Sequence, residues 1–353
     1  MSQQVLNTQL TQQFGITHPI LLAGMFVASG PKLAAAVSNA GGLGVIGGLT
    51  MTPKQLRMNI KELKGYLVNK DAPFGVDLAI VKVGGGARKT NHDYTHGHLD
   101  ELVDIIVEEK VRLFVCAIGV VPPQVADKLH KGGVVVANMV GHPKHVPTAI
   151  RNGADIVIAQ GGEGGGHTGP IPFSVLIPAC VDAARGHVSK LSGKPVMVLA
   201  AGGIFDGRGL AAALMYGAQG VWVGTRFVAS EEASAPDAHK KQVVSADWGQ
   251  TTTTLIYSGR PIRVKKTPYV AEWNDTRADE IKELTGRGIV PYMHDLEKNP
   301  QRSIEAKMWL MGDNAAVIKE VLPARKIVED MANDAAKAIL AGKADLAGAR
   351  ARL

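Results

Sequence analysis

Eight short apolar runs alternate with helical patterns between Ile20 and Val223, and few folds accept that rhythm. The runs are Ile20–Leu22, Leu43–Ile46, Phe74–Val81, Leu113–Ala117, Val134–Met139, Asp155–Ala159, Pro195–Ala200 and Gly220–Val223. Each is too short for a stable helix and aliphatic enough to be a buried strand. Helices are expected at Asn7–Phe14, Pro31–Asn39, Thr52–Tyr66, Leu99–Glu109, Pro122–His130, Pro143–Asn152, Ser174–Leu191 and Asp206–Tyr216, several opening on proline. Strands that alternate with helices lie parallel and are joined by right-handed crossovers. Eight such units match a (β/α)8 TIM barrel; an open doubly wound sheet is the alternative. The barrel is preferred because glycine-rich turns follow strands six, seven and eight, and a barrel gathers those loops at one C-terminal face.

The sixth run leads into Gln160-Gly161-Gly162-Glu163-Gly164-Gly165-Gly166-His167-Thr168-Gly169, with six glycines in ten residues. Glycine is used where backbone takes positive φ or must lie against something flat or bulky. A chain that gives up this much conformational freedom behind a core strand is expected to hold a ligand, with His167 at the mouth. A flexible surface loop is the alternative. The turns Ala201-Gly202-Gly203-Ile204 and Val223-Gly224-Thr225 follow the next two strands. They read as a phosphate site in which backbone N–H groups, the following helix N-termini and the Thr225 hydroxyl donate, with Arg226 adding charge.

Composition narrows the function classes. A formal net charge of +7 would suit an anionic partner. The basic residues are scattered, however, with only short clusters at Arg260–Lys266 and Lys240-Lys241, so no nucleic-acid stripe is formed and a small anionic ligand fits better. Two cysteines, Cys116 and Cys180, cannot build a disulfide framework, and a reducing, cytoplasmic setting is expected. No apolar run approaches a membrane span. The ending Ala351-Arg352-Leu353 loosely resembles a peroxisomal tripeptide, with a frayed helix end as the alternative. Gly84–His98 carries His92, His96 and His98 without a completing ligand set, and a solvated loop is expected there rather than a metal site. Ala246–Asn299 reads as an irregular excursion over the barrel mouth, followed by helices at Glu305–Met311, Asn314–Val321 and Pro323–Leu340.

The string from Ile158 through Gly169 resembles the signature of the nitronate monooxygenase family, formerly the 2-nitropropane dioxygenases. Ala200–Ile204, Val223–Phe227 and Ala40–Gly44 resemble further segments of that family in the same order. The resemblance implies an FMN-containing TIM barrel. It implies a barrel domain over 1–245, a lid over 246–312, and C-terminal helices over 313–353 that pack back. Ala23, Gly24 and Met25 would run along the flavin, Gly24 standing where the family has proline and making a looser turn. Asp77 stands where the family commonly has asparagine near the ring. A carboxylate there disfavours an anionic reduced flavin unless it is protonated or paired.

Gln160, Gly165 and Gly166 would contact the flavin, and Asn138, at the end of the fifth strand, would reach the ring. Ala201, Gly202 and Gly203, with Trp222, Val223, Gly224 and Thr225, would hold the phosphate. His167 would be catalytic, hydrogen bonding to an alkyl nitronate such as propionate 3-nitronate or taking the α-proton of a nitroalkane, with electrons passing to the flavin and then O₂. Glu163 would set the His167 tautomer or remain solvated. Tyr292 and Trp309 would line the substrate pocket, and Cys116 would be a buried apolar residue. A homodimer is compatible with this reading. The competing function is a flavin-dependent NAD(P)H reductase of the same superfamily, resembling an enoyl-acyl-carrier-protein reductase or a quinone reductase.

Overall fold

Residues 3–344 are described by a computed structural model. The eight expected strands form one sheet: Ile20–Leu22, Gly44–Gly47, Phe74–Ala79, Leu113–Ile118, Val135–Val140, Ile156–Gln160, Met197–Ala201 and Val221–Val223. Neighbours pair in parallel in chain order, and the first strand pairs with the eighth through Ile20↔Val221 and Leu22↔Val223. A parallel bridge, Leu21↔Leu43, joins the first strand to the second and closes the barrel.

Alternation along each strand divides the apolar residues into two layers. Leu21, Val45, Leu113, Val115, Ile156, Ile158, Leu199 and Trp222 fill the barrel interior. Leu22, Val76, Phe114, Val136, Val157, Val198 and Val223 face the ring of helices. Leu10 and Phe14, from helix Gln9–Phe14, join the interior cluster. That helix is tied to the start of the last two strands by the Thr8 hydroxyl on the Gln219 carbonyl (2.8 Å) and the Gln9 amide on the Pro195 carbonyl (2.8 Å). The N-terminal end of the barrel is therefore plugged, which leaves the C-terminal end for a site.

Helix starts follow their local chemistry. Helix Pro53–Tyr66 has proline in its first turn and a capping box between Thr52 and Gln55. The helix expected over Ser174–Leu191 runs only from Phe173 to Ala184. Gly186 takes φ +80°, and the Ser189 hydroxyl donates to Asp155 Oδ1 at 2.6 Å, so the rest becomes a tight turn.

Three other expectations fail in the C-terminal third. The excursion after Ala246 is not irregular. Strands Thr251–Thr254 and Ile262–Lys265 form an antiparallel ribbon, and helices Pro268–Thr276, Ala278–Gly286 and Pro291–Lys298 follow. These helices bury Tyr257, Tyr269 and Trp273 in a third core of their own. The segment expected as helix Glu305–Met311 turns as far as Ala306 and then runs extended. The Lys265 N–H donates to the Trp309 carbonyl at 2.9 Å, and Val264 bridges Leu310, so the ribbon takes the backbone groups that a helix would have used. Residues 313–317 form a 3-10 turn rather than a helix to Val321. Helix Ala324–Ala344 then packs on helix Gly207–Met215, where a Cβ at Gly207 would collide with the backbone of Asp334 and Ala335. The tripeptide Ala351-Arg352-Leu353 lies outside the described residues.

Candidate active site

The C-terminal ends of the barrel strands surround a cavity of about 250 Å³, capped by the segment from Met308 to Asn314. Of the residues expected to be catalytic or to hold the flavin, all but three line it: Ala23, Gly24 and Met25 after the first strand with Trp222, Gly224 and Thr225 of the neighbouring eighth, Gln160, Gly165, Gly166 and His167 after the sixth beside Gly202 and Gly203 after the seventh, and Asp77 on the third strand across the barrel from that turn. The exceptions have other employment. The Asn138 amide donates to the Gly119 and Met139 carbonyls (3.1 and 2.9 Å) and accepts from the Val121 N–H (3.0 Å), so this buried side chain ties down the loop after the fourth strand. Ala201 faces the barrel interior, and Val223 faces the outer helices.

The glycine excursion after the sixth strand folds back as a two-residue strand, Gly166–His167, paired antiparallel to the lid ribbon at Ile262 and Arg263. Gly166 takes φ +76°, where only glycine sits without strain. A Cβ at Gly165 would lie 2.6 Å from the Met311 carbonyl carbon, so the lid passes at glycine distance. The Gln160 amide donates to the His167 carbonyl at 2.7 Å.

His167 Nε2 is 2.9 Å from the Ser258 hydroxyl. Ser258 Oγ also lies 3.5 Å from the Arg260 carbonyl, to which its hydrogen can go. The oxygen then accepts from Nε2–H and leaves the lone pair on Nδ1. Ser258 was not legible in the sequence, where Glu163 was the candidate for this duty. Glu163 instead accepts the Phe173 N–H with both carboxylate oxygens (3.1 and 3.0 Å). Burial pushes the His167 pKa down to about 4, and the nearby Arg260 cation adds to the shift. The imidazole is therefore neutral at pH 7 and available as a base. Arg260 itself is held by Asn91 Oδ1 (3.2 and 2.9 Å), and Arg88 donates to the Gly259 carbonyl (3.1 Å). The histidine-bearing segment 84–98 is thus docked on the turn that holds His167 and is not simply solvated. No group of three metal-ligating side chains occurs among the described residues.

Where a phosphate is expected from the sequence, Gly202 and Gly203 take φ +93° and +73°, so their backbone turns sharply at the cavity wall. A Cβ at Gly203 would meet only the Glu163 side chain, at 3.5 Å, which leaves open cradle space. The Thr225 hydroxyl accepts the Gly312 N–H at 3.0 Å and keeps its own hydrogen to donate inward. Asn314 lines the same end with a buried Oδ1 that has no partner. Two expected contributions are absent. The helix after the seventh strand is capped by Asp206, whose carboxylate accepts from the Arg208 and Gly209 N–H groups. Arg226 turns away and donates to the Ala229 and Glu320 carbonyls, both at 2.6 Å.

Asp77 projects from the third strand into the cavity at 5% exposure. Burial holds its pKa well above the usual carboxylate range. A Cβ on Gly24 would collide with both Cβ and Oδ2 of Asp77, so the space freed by Gly24 is filled and the turn is not loosened. Among the described residues, the titratable groups lining the cavity are Asp77, His167 and His239, and no Lys or Arg joins them. His239, missed in the sequence, bonds the Leu310 carbonyl at 2.8 Å and packs against Trp309. Tyr292 packs on Tyr257 in the lid core, and neither it nor Trp309 lines the cavity. The walls are mainly apolar, with half-exposed Phe26 and Met308 among the lining residues.

A family profile described as nitronate monooxygenase matches residues 7–334. The chain is 35% identical to a probable nitronate monooxygenase of Staphylococcus haemolyticus, over 73% of this chain and 77% of that protein. It is 40% identical to a protein of Mycobacterium tuberculosis named (3aS,4S,5R,7aS)-5-hydroxy-7a-methyl-1-oxo-octahydro-1H-indene-4-carboxyl-CoA dehydrogenase, over 75% of this chain and 68% of that one. Among solved structures, FabK from Thermotoga maritima superposes with a TM-score of 0.78 at 33% identity, covering 97% of this chain and 100% of FabK. A nitroalkane oxidase from Streptomyces ansochromogenes gives 0.78 at 26% identity, covering 94% and 99%.

Proposed function

The chain belongs to the nitronate monooxygenase family of flavin-dependent oxidoreductases, and we propose that it binds FMN and oxidises alkyl nitronates with O₂. The observation that carries this reading is the single cavity wall shared by a neutral, lid-anchored His167 and the positive-φ Gly202-Gly203 turn. The turn, with the Thr225 hydroxyl, suits the dianionic phosphate of FMN. Small residues such as Ala23, Gly48 and Ala117 line the cavity and would leave room for its ring. When bound, FMN supplies the electron acceptor and the site of O₂ chemistry.

His167 does the work at the substrate. Nε2–H is committed to Ser258, so Nδ1 accepts the α-proton of a nitroalkane. A nitronate, already ionised, needs only to be positioned. A neutral His167 also avoids holding the anionic substrate as a tight ion pair before electrons move. The apolar walls and the absence of Lys or Arg in the lining favour simple alkyl chains over propionate 3-nitronate, whose carboxylate would be left unpaired. Oxygen consumption with a homologous series of alkyl nitronates tests this: kcat/KM should rise with chain length and exceed that for propionate 3-nitronate. A preference for the carboxylated substrate would count against it.

A second reading is supported by the apolar mouth together with the likeness to FabK and to the carboxyl-CoA dehydrogenase. In it FMN, when bound, would supply hydride chemistry between NAD(P)H and the double bond of an apolar enoyl thioester held at that mouth. Arg88 and Arg260, beside the turn that anchors His167, would meet a phosphorylated carrier. Whether the chain works as a monomer or a homodimer is part of the same test, read by sizing the flavin-loaded protein.

A further inference from the structure

Asp77 is the one carboxylic acid among the described residues that line the cavity, and it is built in rather than left over. It is 5% exposed, and no hydrogen-bond or ion-pair partner is found for it among the described residues. Gly24 gives up its side-chain volume to it, because any Cβ there would strike the Asp77 side chain. The third strand lies across the barrel from the Gly202-Gly203 turn at the end of the seventh, so a ligand anchored by its phosphate extends toward Asp77.

An unpartnered, buried carboxyl aimed into a ligand cavity is costly unless a ligand satisfies it. We propose that Asp77 is a neutral carboxylic acid in the working protein and donates its proton in a hydrogen bond to an acceptor atom on the flavin ring. This rests on the flavin reading of the site and adds a ring-tuning residue to it. The surroundings agree. Burial raises the acid's pKa. The titratable group on the adjoining fourth strand, Cys116, has its thiol pushed up to about 12 by burial and by Asp77, and so stays neutral. The other titratable groups in the lining are His167, which is neutral at pH 7, and His239, whose pKa burial also lowers. No cation lines the cavity to hold an Asp77 carboxylate.

The sign of the pH effect follows. Below its raised pKa, Asp77 is a donor. As pH rises through that pKa, the donor is lost and a negative charge is left against the ring, so affinity for FMN and ease of flavin reduction both fall. An asparagine keeps a donor at every pH.

The test is FMN affinity of the apoprotein by fluorescence quenching, from pH 6 to pH 10, for the wild type, Asp77→Asn and Asp77→Ala. Infrared difference spectra of the apoprotein of wild type against Asp77→Asn at pH 7 accompany it. The ratio to Asp77→Asn cancels the titration of the FMN phosphate, His167 and His239. We expect a protonated-carboxyl band in the wild type that Asp77→Asn lacks. Wild-type affinity should match that of Asp77→Asn while the protonated-carboxyl band is present and fall below it only where that band is lost, and Asp77→Ala should be at least about tenfold weaker than either at pH 7. An ionised carboxylate at pH 7, or an Asp77→Ala affinity equal to that of the wild type, overturns the proposal while leaving FMN binding intact. If none of the three proteins takes up FMN, the flavin reading fails instead.

Discussion

The Gln160 side-chain amide donates to the backbone carbonyl of His167 across 2.7 Å. The end of the sixth strand and the imidazole seven residues later are therefore one mechanical unit, despite the glycines between them. Gln160→Glu keeps the size of the side chain but has no donor at neutral pH, and it sets a carboxylate against a carbonyl. We expect kcat/KM on nitronates to fall by roughly 10- to 100-fold, the cost of one lost buried hydrogen bond plus an unsatisfied acceptor. Steady-state oxygen consumption checks this, with flavin content measured in parallel to separate positioning from cofactor loss.

The depressed pKa of His167 gives a signed pH dependence. The base form persists down to about pH 4, so kcat/KM on a neutral nitroalkane should fall with an apparent pKa near 4 and not near 6.5. Arg260→Met removes the cation that opposes the imidazolium and should move that apparent pKa upward. In the unfolded chain His167 binds its proton first, near pH 6.5. Its contribution therefore makes the fold less stable as pH drops from about 6.5 toward 4. In His167→Gln that part of the acid-side slope should vanish, as followed by urea unfolding across the range.

In the proposed mechanism Ser258 accepts from His167 Nε2–H and leaves Nδ1 as the base. Ser258→Ala frees the ring to take either tautomer and should lower kcat for nitroalkane deprotonation by about tenfold. Nitronate oxidation, which skips the proton step, should fall less. Equal losses on the two substrates would mean that Ser258 only shapes the pocket.

Gly24 and Asp77 should behave as a coupled pair. Gly24→Ala places a Cβ against Cβ and Oδ2 of Asp77, and the overpacking is expected to cost about 1–3 kcal/mol. Because Asp77 Cβ is itself part of the clash, Asp77→Gly relieves the strain and Asp77→Asn does not. A double-mutant cycle by chemical denaturation should show a favourable coupling of at least about 1 kcal/mol for Gly24→Ala with Asp77→Gly.

Much of the fold was legible because it rests on local rules. Continuous apolar runs such as Ile156–Ala159 mark strands buried on both faces, prolines at 31 and 53 open helices where expected, and Pro123 opens one a residue after the expected start at Pro122. The glycine turns after the sixth and seventh strands were legible because each meets a requirement for positive φ or close approach, whereas Gly224, at φ −108° with only ordinary contacts, meets neither. What escaped depends on contacts distant in sequence. Ser258 lies 91 residues from His167, and nothing in its surrounding string marks it. The segment from Met308 to Met311 carries helical propensity but is pulled straight by the lid ribbon. Asn138 sits at a strand end, where a ring contact was reasonable, yet the loop backbone after the fourth strand claims all its hydrogen-bonding groups.

The most direct test of the whole account is anaerobic mixing of the FMN-loaded protein with an alkyl nitronate and, separately, with NADH, while the flavin absorbance is followed. The account predicts rapid loss of the oxidised flavin bands with the nitronate, at least about 100-fold slower in His167→Ala, and little change with NADH. Flavin that is untouched by any nitronate and bleached within seconds by NADH would contradict it.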